Sequence, residues 1–185
     1  MIIGITGTLG AGKGTVAEYL IGKGFKHYSV RDYLTEEVKK RNLPLNRDSL
    51  VNVANELREN NSPSFIVEEL FKIASNSKGN CIIESIRTEG EVIALKEKNG
   101  IILAVDADPK IRYERIVKRK SETDQITFEQ FVSDEKREFI SNDPNKQNLS
   151  RCIELADYKI ENNKNIEDLY KQIEVIIENA KYKKN

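Results

Sequence analysis

Seven residues into the chain runs Gly7-Thr8-Leu9-Gly10-Ala11-Gly12-Lys13-Gly14-Thr15, a G-x-x-x-x-G-K spacing preceded by the apolar run Ile2–Thr6. Residues of these types in this order hold phosphate. Glycines let the backbone curl until successive N–H groups point inward around an anion. The N-terminus of the helix that follows adds partial positive charge, and a lysine at this spacing reaches the terminal phosphates of a nucleoside triphosphate. Where such loops carry Ser or Thr after the lysine, this one has Gly14, and the hydroxyl comes one place later at Thr15. A nucleoside triphosphate with Mg²⁺ is the expected occupant, with Thr15 as one oxygen donor to the metal.

Further acids and arginines fall where a second, phosphate-bearing molecule would meet that loop. Ser29-Val30-Arg31-Asp32 and Glu84-Ser85-Ile86-Arg87 each follow a short apolar or alternating run. A carboxylate at such a strand end can organise hydrated Mg²⁺, a role open to Glu84 and to Asp32, which could instead orient an attacking oxygen. Arg87 can clamp a phosphate with two parallel hydrogen bonds. Arg47 and Arg58 lie between these two blocks. Arg115 and Arg119 sit one helical turn apart, with Arg112 three residues earlier and Arg137 on the next helix. Phosphoryl transfer spreads negative charge over the moving group, so guanidinium groups are the side chains that stabilise it.

The elements that must position these residues alternate. Strand signals at Ile2–Thr6, Phe25–Val30, Cys81–Ile83, Ile101–Val105 and Tyr158–Ile160 are separated by stretches with helical periodicity. Leu50, Val53, Ala54 and Leu57 stand at i, i+3, i+4 and i+7, as do several residues of Ile66–Ala74, and each set makes one apolar helix face. Strands alternating with helices specify an α/β fold on a parallel sheet, whose ligands bind beyond the carboxyl ends of the strands. Those ends are the places just after Thr6, Ser29, Ile83 and Val105.

Composition narrows the class. The 185 residues suit one domain, 38% hydrophobic and 32% charged, with 30 basic and 30 acidic residues. This balance argues against general nucleic-acid or membrane-surface binding. No apolar run approaches the ~20 residues of a membrane span, and no basic leader precedes Ile2, so a cytoplasmic protein is expected. Cys81 and Cys152 read as free thiols, and a single histidine, His27, argues against a zinc site.

The form Gly12-Lys13-Gly14-Thr15 resembles adenylate kinase and its relatives, the nucleoside monophosphate kinase clan. Ser29, Asp32 and Leu34 are similar to that clan's Ser-x-x-Asp-x-Leu turn, although its closing arginine is Thr35 here. Glu84-Ser85-Ile86-Arg87-Thr88 resembles its strand-end acid and arginine block. The Asn55–Arg58 stretch and Ala156-Asp157-Tyr158 are similar to adenylate-kinase-related proteins, and the latter also to dephospho-coenzyme A kinase. No Asn-Lys-x-Asp guanine-reading motif of GTPases is present.

This resemblance implies a three-layer α/β/α domain over residues 1–185, with a five-stranded parallel sheet in the order 2-3-1-4-5. It implies a helical acceptor-binding insert at about 31–75 and a short lid at about 119–137. Gly7 through Thr15, with Arg115 and Arg119, would bind ATP. Ser29, Arg31, Asp32, Arg47, Arg58, Glu84, Arg87 and Glu91 would face the acceptor, Glu91 reading its base. Lys13, Asp32, Arg87, Arg115, Arg119 and Arg137 would act on the transferring group. The implied activity is transfer of the γ-phosphoryl group of ATP to a nucleoside monophosphate. Dephospho-coenzyme A kinase is the enzymatic alternative, and a partner-activated ATPase the alternative of a different class. The oligomeric state stays open between monomer and dimer.

Overall fold

The computed structural model describes residues 1–119 and 127–182. Five strands, β1 (Ile2–Gly7), β2 (Lys26–Ser29), β3 (Cys81–Glu84), β4 (Ile101–Asp106) and β5 (Tyr158–Glu161), form one sheet in the order β2-β3-β1-β4-β5. Every pairing is parallel, with Ile3 opposite both Ile82 and Ile101. The central strands are buried on both faces, which explains why β1 and β4 read as continuous apolar runs.

Helices cover both faces. Among them are α1 (Lys13–Gly22), α5 (Glu89–Glu97), α6 (Pro109–Arg119) and α9 (Ile166–Tyr182). On one side Val16, Ala17 and Leu20 of α1 pack with Leu169 and Ile173 of α9 against Ile3, Ile5 and Leu103. On the other, Val92 and Leu95 of α5 share a core with Ile83, Ile86 and Ile102.

Between β2 and β3 lie α2 (Val30–Lys40), α3 (Arg47–Asn60) and α4 (Phe65–Asn76), the segment expected as an acceptor-binding insert. It shares the second core rather than forming its own. Val38, Val53, Ala54, Ile66 and Leu70 are buried in the same cluster as Ile83 and Ile102. Local caps begin these helices: Ser29 accepts from the Asp32 N–H and Asn46 from the Ser49 N–H, which satisfies donors that a helix start leaves open.

The expected α7 stands at Phe128–Phe139. A short helix that was not expected, α8 (Leu149–Glu154), follows in a stretch too short for helical periodicity to show. The expected lid falls on residues 120–126, outside the described residues, and on α7. Cys81 and Cys152 are buried free thiols. Among the described residues no helix is long and apolar enough to cross a membrane.

Candidate active site

The phosphate loop leaves β1 and wraps onto the start of α1, and three contacts shape it. Thr8, buried, donates its hydroxyl to Asp106 Oδ1 at 2.5 Å, tying the loop to the end of β4. Asn162 Nδ2, just beyond β5, donates to the Ala11 carbonyl at 2.8 Å. Gly12 caps α1 in the left-handed region at φ 99°, and a Cβ there would come 2.4 Å from Asn162 Nδ2. Only glycine has both that backbone freedom and no Cβ to collide.

Lys13 Nζ lies within the loop and donates to the carbonyls of Gly7 and Thr8 at 2.9 and 2.8 Å. Burial, together with the nearby Arg87 charge, pushes its pKa down to about 7. Burial disfavours the charged form of an amine, and a second cation adds to that effect. A polyanion delivered to the loop would reverse both influences. Gly14 differs from the other loop glycines: it sits in the first turn of α1 with nothing within 4 Å of a built Cβ, and it lines the cleft described next.

That cleft, of about 680 Å³, runs from the phosphate loop to α3. Seven Lys or Arg side chains (13, 31, 47, 58, 87, 115 and 119) line it against four carboxylates (18, 32, 84 and 138). A chain with balanced total charge thus gathers a local excess of cations around one cavity.

Arg115 Nη2 donates to the Asn162 carbonyl at 2.9 Å, while Arg115 Nη1 is buried with no partner. Arg119 lines the same side and is exposed. Arg112 has a structural role: nearly buried, it donates to the Ala107 and Leu9 carbonyls, pairs with Glu135 and stacks over Phe131. It joins the phosphate loop to α7.

On the opposite wall, Arg47 of α3 and Arg87 of the β3–α5 loop both bind Glu138 of α7, and Arg87 also donates to Gln147 Oε1 at 2.9 Å. Burial works to raise the Glu138 carboxyl, but Arg87 and Arg47 outweigh it and hold the group below the ordinary carboxylate value. Glu84, at the end of β3, meets His27 Nε2 at 3.0 Å. Burial opposes ionisation there too, and His27, Lys13 and Arg87 overcome it, so Glu84 stays ionised and the His27 pKa rises. Ser29, Arg31 and Asp32 line the cleft, with Asp32 exposed at the first turn of α2. Ser29 spends its hydroxyl on capping that helix.

Two sequence expectations need correction. Glu91 does not face an acceptor base. It is fully buried, with Oε1 accepting from Arg58 Nε and Nη2 and Oε2 accepting from the N–H groups of Arg87 and Thr88. It closes a capping box with Thr88, so its acceptor capacity is used inside the fold. Arg137 lies outside the cleft lining and pairs with Asp48 and Asp134, which leaves it tying α7 to α3. Asp106, Asn162, His27, Glu138 and Gln147 were assigned no role from the sequence. Asp106 had a signal, as the residue just after the Val105 strand end. The others come from separate segments with no motif spacing.

A family model described as an AAA domain matches residues 3–141. A UPF0200 protein of Methanocaldococcus jannaschii is 33% identical over 193 residues, covering all of this chain and 95% of that protein. Another from Pyrococcus horikoshii is 30% identical over 184 residues, with 96% of each covered. The chain belongs to the AAA-domain family that this model describes and, with these relatives, to the UPF0200 proteins.

Solved structures of similar fold include a Thermus thermophilus protein (TM-score 0.62, 21% identity, 97% of each chain). They also include a shikimate kinase of Acinetobacter baumannii (0.59, 18%, 96% of this chain and 93% of that one). A gluconokinase of Sinorhizobium meliloti is similar too (0.57, 11%, 99% and 97%). At these identities the likeness is one of fold. Sheet order, phosphate loop and neighbours together show a P-loop α/β fold of the kinase-like type.

Proposed function

We propose that this protein transfers the γ-phosphoryl group of ATP to a small phosphate-bearing acceptor, with a nucleoside monophosphate as the preferred one. The observation that carries the reading is the two-sided cationic cleft. Lys13, Arg115 and Arg119 stand on the phosphate-loop side, and Arg47 and Arg87 converge on one anionic group across from them. A hydrolase needs only the first set; a transferase between two phosphorylated molecules needs both.

In this reading the loop amides and Lys13 hold the β- and γ-phosphates, with Arg115 and Arg119 along their flank. Arg47 and Arg87 hold the acceptor phosphate so that one of its oxygens lies in line with the γ-phosphorus. That oxygen forms the new P–O bond as the bond to the β-bridging oxygen breaks, and ADP leaves with the electron pair. Asp32 and Arg31 stand at the mouth, beside the path of the attacking oxygen.

The donors present fit a magnesium ion. Mg²⁺ takes one or two protein oxygens and completes its shell with phosphate and water, and Thr15, Asp32 and Glu84 offer oxygens around the cleft. When bound, the ion would neutralise charge on the β- and γ-phosphates.

The test is ADP formation from Mg·ATP by wild type and Lys13→Ala, across nucleoside monophosphates, dephospho-coenzyme A, shikimate and gluconate. Strong stimulation by one phosphorylated acceptor, lost in the variant, is expected. Stimulation by shikimate or gluconate alone would replace the acceptor class. Slow hydrolysis indifferent to every acceptor would favour a partner-activated ATPase.

A further inference from the structure

The acceptor wall of the cleft is largely one face of α3. Arg47, Leu50, Ala54 and Arg58 fall at i, i+3, i+7 and i+11, and all four line the cavity. Such spacing places them along a single stripe of the helix. The stripe changes character along its length. At its start Arg47 is about a quarter exposed and joins Arg87 on Glu138. Leu50 and Ala54 make an apolar middle, with Leu34 and Val30 of α2 also lining the cavity. At its end Arg58 is 1% exposed.

Arg58 is chemically unlike the cations at the rim. Its Nε and Nη2 are spent on Glu91, a carboxylate that is itself fully buried, so the pair is neutral as a unit. Nη1 remains buried without a partner. An unpaired buried donor is costly, of the order of 1–3 kcal/mol, so the fold keeps this atom ready for an acceptor it does not itself supply. A second phosphate is a poor match there: it would lie close to the Glu91 carboxylate, and the one positive charge nearby is already neutralised. An uncharged carbonyl oxygen satisfies Nη1 without burying a net charge.

We infer that Arg58 is the base-reading residue of the acceptor site and that the acceptor is a nucleoside monophosphate whose base carries a carbonyl where adenine and cytosine carry an amino group. This rests on the phosphotransferase reading above and deepens it. The acceptor phosphate sits at the Arg47–Arg87 end, the sugar and base lie on Leu50 and Ala54, and the 6-oxo or 4-oxo group accepts from Arg58 Nη1. Arginine donors suit O6 of guanine and repel the exocyclic amine of adenine, because that amine is also a donor.

The experiment compares kcat/KM for GMP, IMP, UMP and dTMP with that for AMP and CMP, at saturating Mg·ATP. The same panel is run on Arg58→Met combined with Glu91→Gln. This double change keeps the buried pair neutral and preserves the capping box, which accepts glutamine. ATP affinity and thermal midpoint of the variant confirm that it folds.

At least one oxo-base monophosphate should exceed both amino-base ones by about tenfold or more, as one charge-assisted hydrogen bond allows. In the double variant that preference should collapse through KM, with ATP affinity kept. A preference for AMP or CMP overturns the inference while leaving the kinase intact. So does a base preference that survives in the double variant. If no monophosphate stimulates ADP formation in wild type, the acceptor reading has failed and this inference falls with it.

Discussion

Asn162 Nδ2 donates to the carbonyl of Ala11 at 2.8 Å, so a residue just past the last strand holds the phosphate loop formed after the first. The Asn162 carbonyl in turn accepts from Arg115, and its N–H donates to the Asp106 carbonyl. One buried residue, through its side chain and its backbone, thus joins the loop, the end of β4 and a cleft arginine. The chemistry of the loop depends on β5, some 150 residues away in sequence, as much as on its own glycines.

The loop glycines should therefore separate by substitution. Gly12→Ala puts a side chain at φ 99° and a Cβ against Asn162 Nδ2, so a loss of about 1–3 kcal/mol in stability is expected along with nucleotide binding. Gly14→Ala meets open space in a helical turn, so stability should rise by up to about 1 kcal/mol. Because Gly14 lines the cleft, its methyl group should still weaken nucleotide binding. Chemical denaturation and nucleotide titration of both variants check the contrast. Equal destabilisation by the two would refute it.

Lys13 should take up a proton when a polyanion binds. With its pKa near 7 against an ordinary 10.5, much of it is neutral at pH 8 in the free protein, and phosphate oxygens restore the charged form. Calorimetry of ATP binding in buffers of different ionisation heat should show uptake approaching one proton at pH 8 and little at pH 6, absent in Lys13→Met. The same shift has a sign for stability. Between about 7 and 10.5 the unfolded chain binds the extra proton, so this group makes the free protein more stable as pH rises through that window. Uptake unchanged in Lys13→Met would assign the proton elsewhere.

Glu138 bridges the Arg47 and Arg87 guanidinium groups. Glu138→Gln should destabilise the protein by about 3–5 kcal/mol, since it breaks a buried ionic contact by removing one partner. It should also tighten binding of inorganic phosphate, because Arg47 and Arg87 lose their internal anion. The Glu138 carboxyl is held below its ordinary 4.5. Its stabilisation is therefore full at neutral pH and is lost as pH falls below about 4.5. The acid limb of the stability curve should be shallower in the variant. Weaker phosphate binding in Glu138→Gln would mean that the carboxylate orients the arginines rather than competing for them.

Much of this molecule was legible in one dimension. The phosphate loop is a local device: its glycines, its lysine and the start of the helix it opens lie within nine residues, so spacing alone carries the chemistry. The sheet order was legible too, because apolar runs and helical periodicity name the elements and the resemblance to nucleoside monophosphate kinases orders them. Strand ends pointed to Asp32, Glu84 and Arg87, which the fold brings to the cleft.

Tertiary structure decided the partners. Glu91 and Arg58 are 33 residues apart and each has the look of a surface charge on a helix, yet they close on one another in the core. No local pattern records such a pairing, since burial of an ion is set by what packs around it from elsewhere. Glu138 reaches Arg47 and Arg87 for the same reason, across 91 and 51 residues. Residue types and short-range spacing determined which groups could handle phosphate. Long-range packing determined what each can still offer a ligand, because a group paired inside the fold keeps only the donors that the pairing leaves unused, as Arg58 keeps Nη1.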